Sequence, residues 1–250
     1  MNVDVDVLIV GAGLSGIGAA HRLKTESPQR TFKIVERRQA IGGTWDIFRY
    51  PGVRSDSDMY TLSFPFKAWT NPKAIADGAD IRQYLVEAAH EFGIADQIEY
   101  GRHVTDASWN SADATWTVTM TVDDGSIETI RTNFLYLCSG YYSYEEGYLP
   151  EFPGYNDFEG EIIHPQFWPE NADYRNKNVV IIGSGATAIT LLPAMAEQAK
   201  SVTMLQRTPT YMLSQPTFDP IARLGRFVLP KQLVHRIARL RYAIMTVGFY

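Results

Sequence analysis

The sequence predicts an α/β protein of two strand–glycine turn–helix units joined by a linker, the first unit carrying a small antiparallel meander. Three observations lead there. An apolar β-branched run, Val7-Leu8-Ile9-Val10, stops at Gly11 and gives way to helical patterning. The same switch returns where Val179-Val180-Ile181-Ile182 meets Gly183. Between them lie short segments of alternating polarity, separated by turns rich in Asn, Asp and Gly.

Taken in order, Gly11-Ala12-Gly13-Leu14-Ser15-Gly16 has the Gly-x-Gly-x-x-Gly spacing of a dinucleotide-binding turn, which makes this unit Rossmann-like. Gly11 permits the strand-to-helix bend. Gly13 leaves room for a pyrophosphate against the backbone. Gly16 lets the helix, expected over 14–24, pack on the strand. The helix N-terminus offers N–H groups and partial positive charge to phosphate oxygens. Such a turn alone is a weak signal. The second strand, 31–35, strengthens it by ending at Glu36, where a carboxylate suits ribose hydroxyls. Gly42-Gly43 marks a further close backbone approach to a ligand. Pro51-Gly52 is a turn, and capping of a short helix starting near Asp58 is the bland alternative to a functional role for Ser55 and Asp56. An amphipathic helix over 81–92 carries Ile81, Tyr84, Leu85 and Ala88 on one face and stops at Gly93. The meander follows at 103–109, 114–122 and 127–132. Residues 134–140 then return as a separate buried strand, with Cys138 in the core.

Pro150, Pro153, Pro165 and Pro169 punctuate a linker over 142–177, dividing a first domain, 1–141, from a second, 178–250. The second repeats the opening as Gly183-Ser184-Gly185-Ala186-Thr187-Ala188, with a helix to about 199. Its next strand, 201–205, leads to Arg207 and Thr208. A guanidinium where the first unit has a carboxylate suits a 2′-phosphate, so NADP is expected over NAD; the bland alternative is a solvated surface charge. The closing segment holds Arg223, Arg226, Lys231, Arg236, Arg239 and Arg241 without one acidic residue. A helix packed on its domain, charges in solvent, is favoured over a basic amphipathic helix attached weakly to an anionic membrane surface.

Composition narrows the class. A net charge of −5 gives no electrostatic case for nucleic acid. The single cysteine, Cys138, excludes an internal disulfide and a CxxC redox pair, and fits a reducing compartment. Asp4 and Asp6 stand where a signal peptide would be basic, and no apolar run reaches the roughly 18 residues of a membrane span. A soluble cytoplasmic protein, peripheral at a membrane at most and without a metal centre, is expected.

Two dinucleotide turns in this order resemble the flavin-dependent monooxygenases that use FAD and NADPH. The linker stretch Phe158-x-Gly160-x-x-x-His164-x-x-x-Trp168-Pro169 matches every fixed position of the fingerprint of the type I Baeyer–Villiger monooxygenase family. The S- and N-oxygenating flavin monooxygenases, the alternative, have a similar stretch without the Trp-Pro ending. The runs Gly42-Gly43-Thr44-Trp45-Asp46 and Arg49-Tyr50-Pro51-Gly52-Val53-Arg54-Ser55-Asp56 look closest to the ethionamide-activating FAD-containing subgroup.

Carried over position by position, the resemblance implies that Gly11, Gly13, Ser15, Gly16, Glu36, Thr44, Trp45, Asp46, Ile47, Arg54, Ser55 and backbone near Val104 line FAD. Asp56 would stand near the flavin as the active-site aspartate. Gly183, Ser184, Gly185, Ala186, Thr187 and Ala188 would hold the NADP pyrophosphate, and Arg207 with Thr208 the 2′-phosphate. Phe158, Gly160, His164, Trp168 and Pro169 would couple domain movement to turnover. The implied reaction inserts one oxygen of O₂ into a ketone through a flavin C4a-peroxide, with thioether or thioamide sulfur as a second target. Family members run considerably longer and carry a catalytic arginine in their later half, which has no counterpart here. The chain is therefore expected to be an N-terminal portion or truncated product that binds FAD weakly and, alone, oxygenates nothing.

Overall fold

The computed structural model describes residues 3–212 and 214–249; Tyr250, where the helical patterning still runs, lies outside them. Packing divides the chain into two compact units, Met1–Ile47 with Ile81–Ser143, and Phe48–Asp80 with Tyr144–Tyr250. This division follows contacts, so the segment after the Gly42-Gly43 loop groups with the second glycine turn.

The first unit is built on one six-stranded sheet of order β3-β2-β1-β6-β5-β4. Its strands are β1 (Val5–Val10), β2 (Phe32–Glu36), β3 (Ile98–Tyr100), β4 (Arg102–Asn110), β5 (Thr115–Val122) and β6 (Ile127–Leu137). β1, β2, β3 and β6 run parallel to their neighbours among themselves, whereas β4, β5 and β6 pair antiparallel. Helix α1 (Leu14–Glu26) connects β1 to β2, the βαβ crossover that a parallel pair requires. Val5, Leu8, Val35, Val118, Met120 and Ile130 form a common core under both halves of the sheet.

That topology corrects one expectation. The third meander segment and the following strand are a single strand, β6, which pairs with β5 up to Thr132 and with β1 from there to Leu137. Only Asn133 separates the two halves in sequence, and it is neither Gly nor Pro, so no residue there interrupts the ladder. The meander is thus an extension of the parallel sheet. The second half of β6 is also less buried than expected: Phe134 is 56% and Leu137 67% exposed, and the Phe134 and Tyr136 rings stack on one face. Cys138 is half-buried, and that burial pushes its thiol up to about 11, far from thiolate reactivity at neutral pH.

The second unit holds β7 (Asn178–Ile182) and β8 (Ser201–Leu205), a parallel pair joined by α5 (Ala186–Ala196). It also holds the short helix α3 (Met59–Leu62) and, after β8, α6 (Pro220–Gly225) and α7 (Lys231–Phe249); the short α2 (Thr44–Ile47) and most of the longer α4 (Gly78–Glu91) belong to the first unit. Neither Ser55 nor Asp56 caps α3. Asp58 does, its carboxylate accepting from the Thr61 N–H at 2.9 Å. Ser55 is buried instead, its Oγ accepting from the Ala76 N–H.

α7 packs on α3, burying Val234, His235 and Ala238. The charges of the closing segment are not all solvated, contrary to expectation. Arg226 donates to the carbonyls of Trp69, Thr70 and Asn71, Arg239 to those of Tyr60 and Ser63, and Arg241 pairs with Asp219. Carbonyls left over at the ends of short helices and turns need donors, and a long guanidinium reaches several at once. Leu233, Ile237, Leu240, Ile244 and Val247 remain exposed along the helix. Among the described residues no helix is long and apolar enough to cross a membrane.

Candidate nucleotide sites and the linker fingerprint

The β1–α1 turn is closed on three sides by backbone. Gly11 has φ +109°, and a Cβ there would stand 2.5 Å from the Cys138 carbonyl oxygen. A Cβ on Gly16 would come within 1.9 Å of the Gly11 carbonyl oxygen, so α1 lies against β1 as only glycine allows. Gly13 and Gly43 face each other Cα to Cα: a Cβ on Gly43, at φ +54°, would meet the Gly13 Cα at 3.2 Å. Two side-chain-free segments therefore border the start of α1. The helix N-cap is Gly13, with no side-chain cap, and Ser15 is exposed in the first turn. Its free N–H groups and dipole suit a pyrophosphate.

Glu36 ends β2 at 2% exposure. One carboxylate oxygen accepts from the Ala12 N–H at 2.7 Å and the other from the Arg38 N–H at 2.9 Å. These bonds fix the carboxylate beside the turn, and each oxygen keeps a second lone-pair direction for a hydroxyl donor. Such a pairing fits a dinucleotide ribose. Thr44 and Trp45 open α2, and Ile47 closes it, buried. Val104 lies on β4 where the register with β5 shifts, between Val104 and Asp106.

Asp46, expected to line FAD, is 2% exposed and sits between two arginines. Arg38 approaches one carboxylate oxygen with Nε at 2.8 Å and Nη2 at 2.7 Å. Arg82, on α4, brings Nε to 2.8 Å from the other oxygen, a charge contact without hydrogen-bond alignment. Sequence reasoning missed both partners. Arg38 lies in an unpatterned loop, and Arg82 is distant in sequence; its only signal was a cation beside Ile81 on an otherwise amphipathic helix.

Arg54, Ser55 and Asp56 belong to the second unit. Arg54 forms an isolated antiparallel bridge with Asp77, and the Gly78 N–H donates to the Val53 carbonyl. With the Ser55–Ala76 bonds, these hold the chain that leads up to Asp56, which is itself exposed.

The second glycine turn has the same plan as the first. Gly183 has φ +140°, and a Cβ on Gly185, the α5 N-cap, would meet nothing within 4 Å. Ser184, Ala186 and Thr187 border this open N-terminus, while Ala188 is buried behind it. The Thr210 hydroxyl donates to the Ser184 carbonyl, tying the segment after β8 to the turn. Arg207 and Thr208 are exposed in that segment, and among the described residues Arg207 makes no ion pair. An unpaired guanidinium next to an open glycine turn fits a phosphate.

In the linker, aromatic rings lie over glycines. A Cβ on Gly160 would stand 2.5 Å from the Phe158 ring, and one on Gly147 2.1 Å from the His164 ring. His164 Nδ1 accepts from the Gln166 N–H at 3.3 Å, capping the single turn Pro165–Phe167. Trp168 meets Tyr174 edge to face, and Pro169 follows.

Two glycine turns of one plan, one beside a buried carboxylate and the other followed by an exposed guanidinium, are the arrangement of a two-dinucleotide fold. The chain belongs to the flavin-binding monooxygenase-like family, whose sequence profile matches residues 5–220. It is 51% identical to the FAD-containing monooxygenase EthA of Mycolicibacterium smegmatis over 251 residues, covering 100% of this chain and 51% of the relative. The chain thus spans about half the length of the curated relatives it matches. Among solved structures, a caprolactone-bound cyclohexanone monooxygenase aligns with TM-score 0.78 and 29% identity over 93% of this chain and 45% of that one. The OTEMO complex with FAD and NADP aligns with TM-score 0.71 and 28% identity, covering 84% and 40%.

Proposed function

We propose that the protein is an FAD- and NADPH-dependent monooxygenase that inserts one oxygen of O₂ into ketones in Baeyer–Villiger fashion and also oxidises thioether or thioamide sulfur. The observation that carries this reading is the contrast between the pinned Glu36 carboxylate and the unpaired Arg207 guanidinium, each beside its own glycine turn. The linker fingerprint from Phe158 to Pro169 and the relatives' printed cofactors support it.

Each residue has a role in that reading. Gly11, Gly13, Ser15 and Gly16 receive the FAD pyrophosphate, and Glu36 accepts from its ribose. In the first unit Thr44, Trp45, Ile47 and the backbone at Val104 border the cofactor; for Arg54, Ser55 and Asp56 of the second unit, the family resemblance implies the role of flavin neighbours. Residues 183–188 receive the NADP pyrophosphate, and Arg207 with Thr208 the 2′-phosphate, which is why NADPH is preferred over NADH. Bound FAD supplies electron transfer from the nicotinamide and activation of O₂; the protein orients both partners and excludes water. The test is incubation of the FAD-loaded protein with NADPH, O₂ and a panel of ketones and thioethers. Esters or lactones are expected. Sulfoxides without any ester would favour the S-oxygenating alternative.

A second reading concerns residues 1–250 alone. The exposed Phe134, Leu137, Val180, Ile182 and Leu205 leave sheet surface open, which favours association over a stable fold. This stretch by itself is a weak FAD-binding module without turnover. For the whole protein the location proposed is the cytoplasm. The exposed Arg223, Lys231 and Arg236 beside the apolar stripe of α7 give at most a weak, salt-sensitive hold on an anionic membrane surface.

A further inference from the structure

Asp56 shares a compact unit with α5, the helix of the second glycine turn, and the segment that leads to it is fastened to that helix. The Tyr50 hydroxyl lies 3.1 Å from Thr190 Oγ1, both side chains buried. Thr190 is one turn into α5, and its hydroxyl donates to the carbonyls of Ala186 at 2.9 Å and Thr187 at 3.2 Å. Its proton is therefore committed to the helix, and Tyr50 is the donor in the Tyr50–Thr190 bond. Two residues on, Gly52 has φ +81° and lies so close that a Cβ would stand 2.5 Å from the Thr190 carbonyl oxygen and 2.7 Å from the Ala194 Cβ. The backbone of this segment thus rests on the helix itself. Past Gly52, the Gly78→Val53 bond and the two Ser55–Ala76 bonds stiffen the chain as far as Asp56.

We propose that Tyr50, Gly52 and Thr190 are positioning residues that tie Asp56 to the pyrophosphate turn of α5, so that dinucleotide bound there sets where the Asp56 carboxylate stands. This rests on the assignments of Asp56 and residues 183–188 made above. A displacement of the first turn of α5 is carried by Thr190 to Tyr50 and Gly52, and then through a braced stretch to Asp56. The contacts form a continuous packed path whose coupling the double variant measures.

The experiment uses the FAD-loaded protein and four variants: Tyr50→Phe, Thr190→Val, their double, and Thr190→Ser. Three quantities are read: FAD affinity, the half-saturating NADPH concentration, and the limiting rate of flavin reduction in anaerobic stopped flow. The perturbation of the flavin absorbance spectrum on adding NADP⁺ is a fourth, activity-independent readout. Tyr50→Phe and Thr190→Val should each lower the limiting rate about fivefold, the worth of one lost hydrogen bond of about 1 kcal/mol. FAD affinity should hold, and the NADP⁺-induced spectral change should shrink. The double should resemble either single, since both remove the same bond. Thr190→Ser should restore wild-type values. Additive losses in the double, or full-size spectral responses in both singles, would overturn the coupling. Should Thr190→Val not fold, Tyr50→Phe with its spectral response decides alone. Wild-type flavin that NADPH cannot reduce would instead strike at the proposed function itself, which separates the two failures.

Discussion

Replacing Asp46 with asparagine tests whether this residue is a cofactor contact or a clamp. The carboxylate is 2% exposed and touches Arg38 and Arg82, whose side chains are 35% and 38% exposed. Removing one partner of a fully buried ion pair costs about 3–5 kcal/mol, because a charge is left uncompensated in the interior. Here the orphaned charges are the arginines, and each can turn into water, so solvent screening reduces the loss. Against that, the substituted amide would remain buried and could offer only one neutral acceptor oxygen to two guanidinium groups. Balancing these, about 1.5–3 kcal/mol of unfolding free energy should be lost. The assay is urea denaturation of the FAD-free protein, comparing midpoints at equal slope. Asp46→Asn should lower the midpoint before any cofactor is added. FAD affinity should fall as well, because the Arg38 backbone N–H holds one oxygen of the Glu36 carboxylate. An FAD-free protein as stable as wild type, with affinity alone reduced, would refute the clamp and return Asp46 to the role of a direct FAD contact.

Three further outcomes are expected. Arg207→Ala should raise the Michaelis constant for NADPH about tenfold or more while leaving that for NADH nearly unchanged, since a charge-assisted phosphate contact is worth about 1.5–3 kcal/mol; equal effects on both would remove Arg207 from the 2′-phosphate site. His235 is held below its ordinary range by burial first, and then by Arg239, Arg226 and Arg236, while the Phe64 backbone opposes the shift. The unfolded chain therefore binds its proton more readily, so stability is full above the unfolded value near 6.5 and declines as pH falls through it. His235→Asn should flatten that decline in thermal melts between about pH 7 and pH 5, and an unchanged profile would clear His235 of it. Co-sedimentation with anionic vesicles should be weak at low salt and absent at high salt; no binding at low salt would dispose of the membrane-surface idea.

The two glycine turns were legible because close backbone approach admits only glycine, and a rule that strict leaves its mark in sequence. Gly11, Gly16 and Gly183 all sit where their spacing put them. The same holds for Glu36, whose place at a strand end follows from the length of the strand. What could not be read were features made by distant pairing. The union of two expected strands into β6 depends on β1 and β5 lying on opposite sides of it, and no local residue announces that. Asp58, not Ser55 or Asp56, caps α3 because the Ala76 backbone claims Ser55. The arginines of the closing segment looked like a solvated face because the carbonyls they satisfy belong to residues 60–71. Periodicity reports which face is apolar; it says nothing about who needs a donor.

The position of β6 has a consequence for the newly made chain. β1 emerges first and pairs with β2 almost at once, but its other edge waits for residues far downstream: Arg131 joins Asp4 across a separation of 127. The floor beneath Gly11 is the Cys138 carbonyl, delivered later still. At roughly 5–20 residues per second of synthesis, the first glycine turn stays half-framed for about 6–25 s. During that interval β1 is an apolar strand with one open edge, the kind of surface that recruits chaperones or sticks to neighbours. Destabilising changes in β6 should therefore reduce the yield of folded protein more than they reduce the stability of molecules that have already folded.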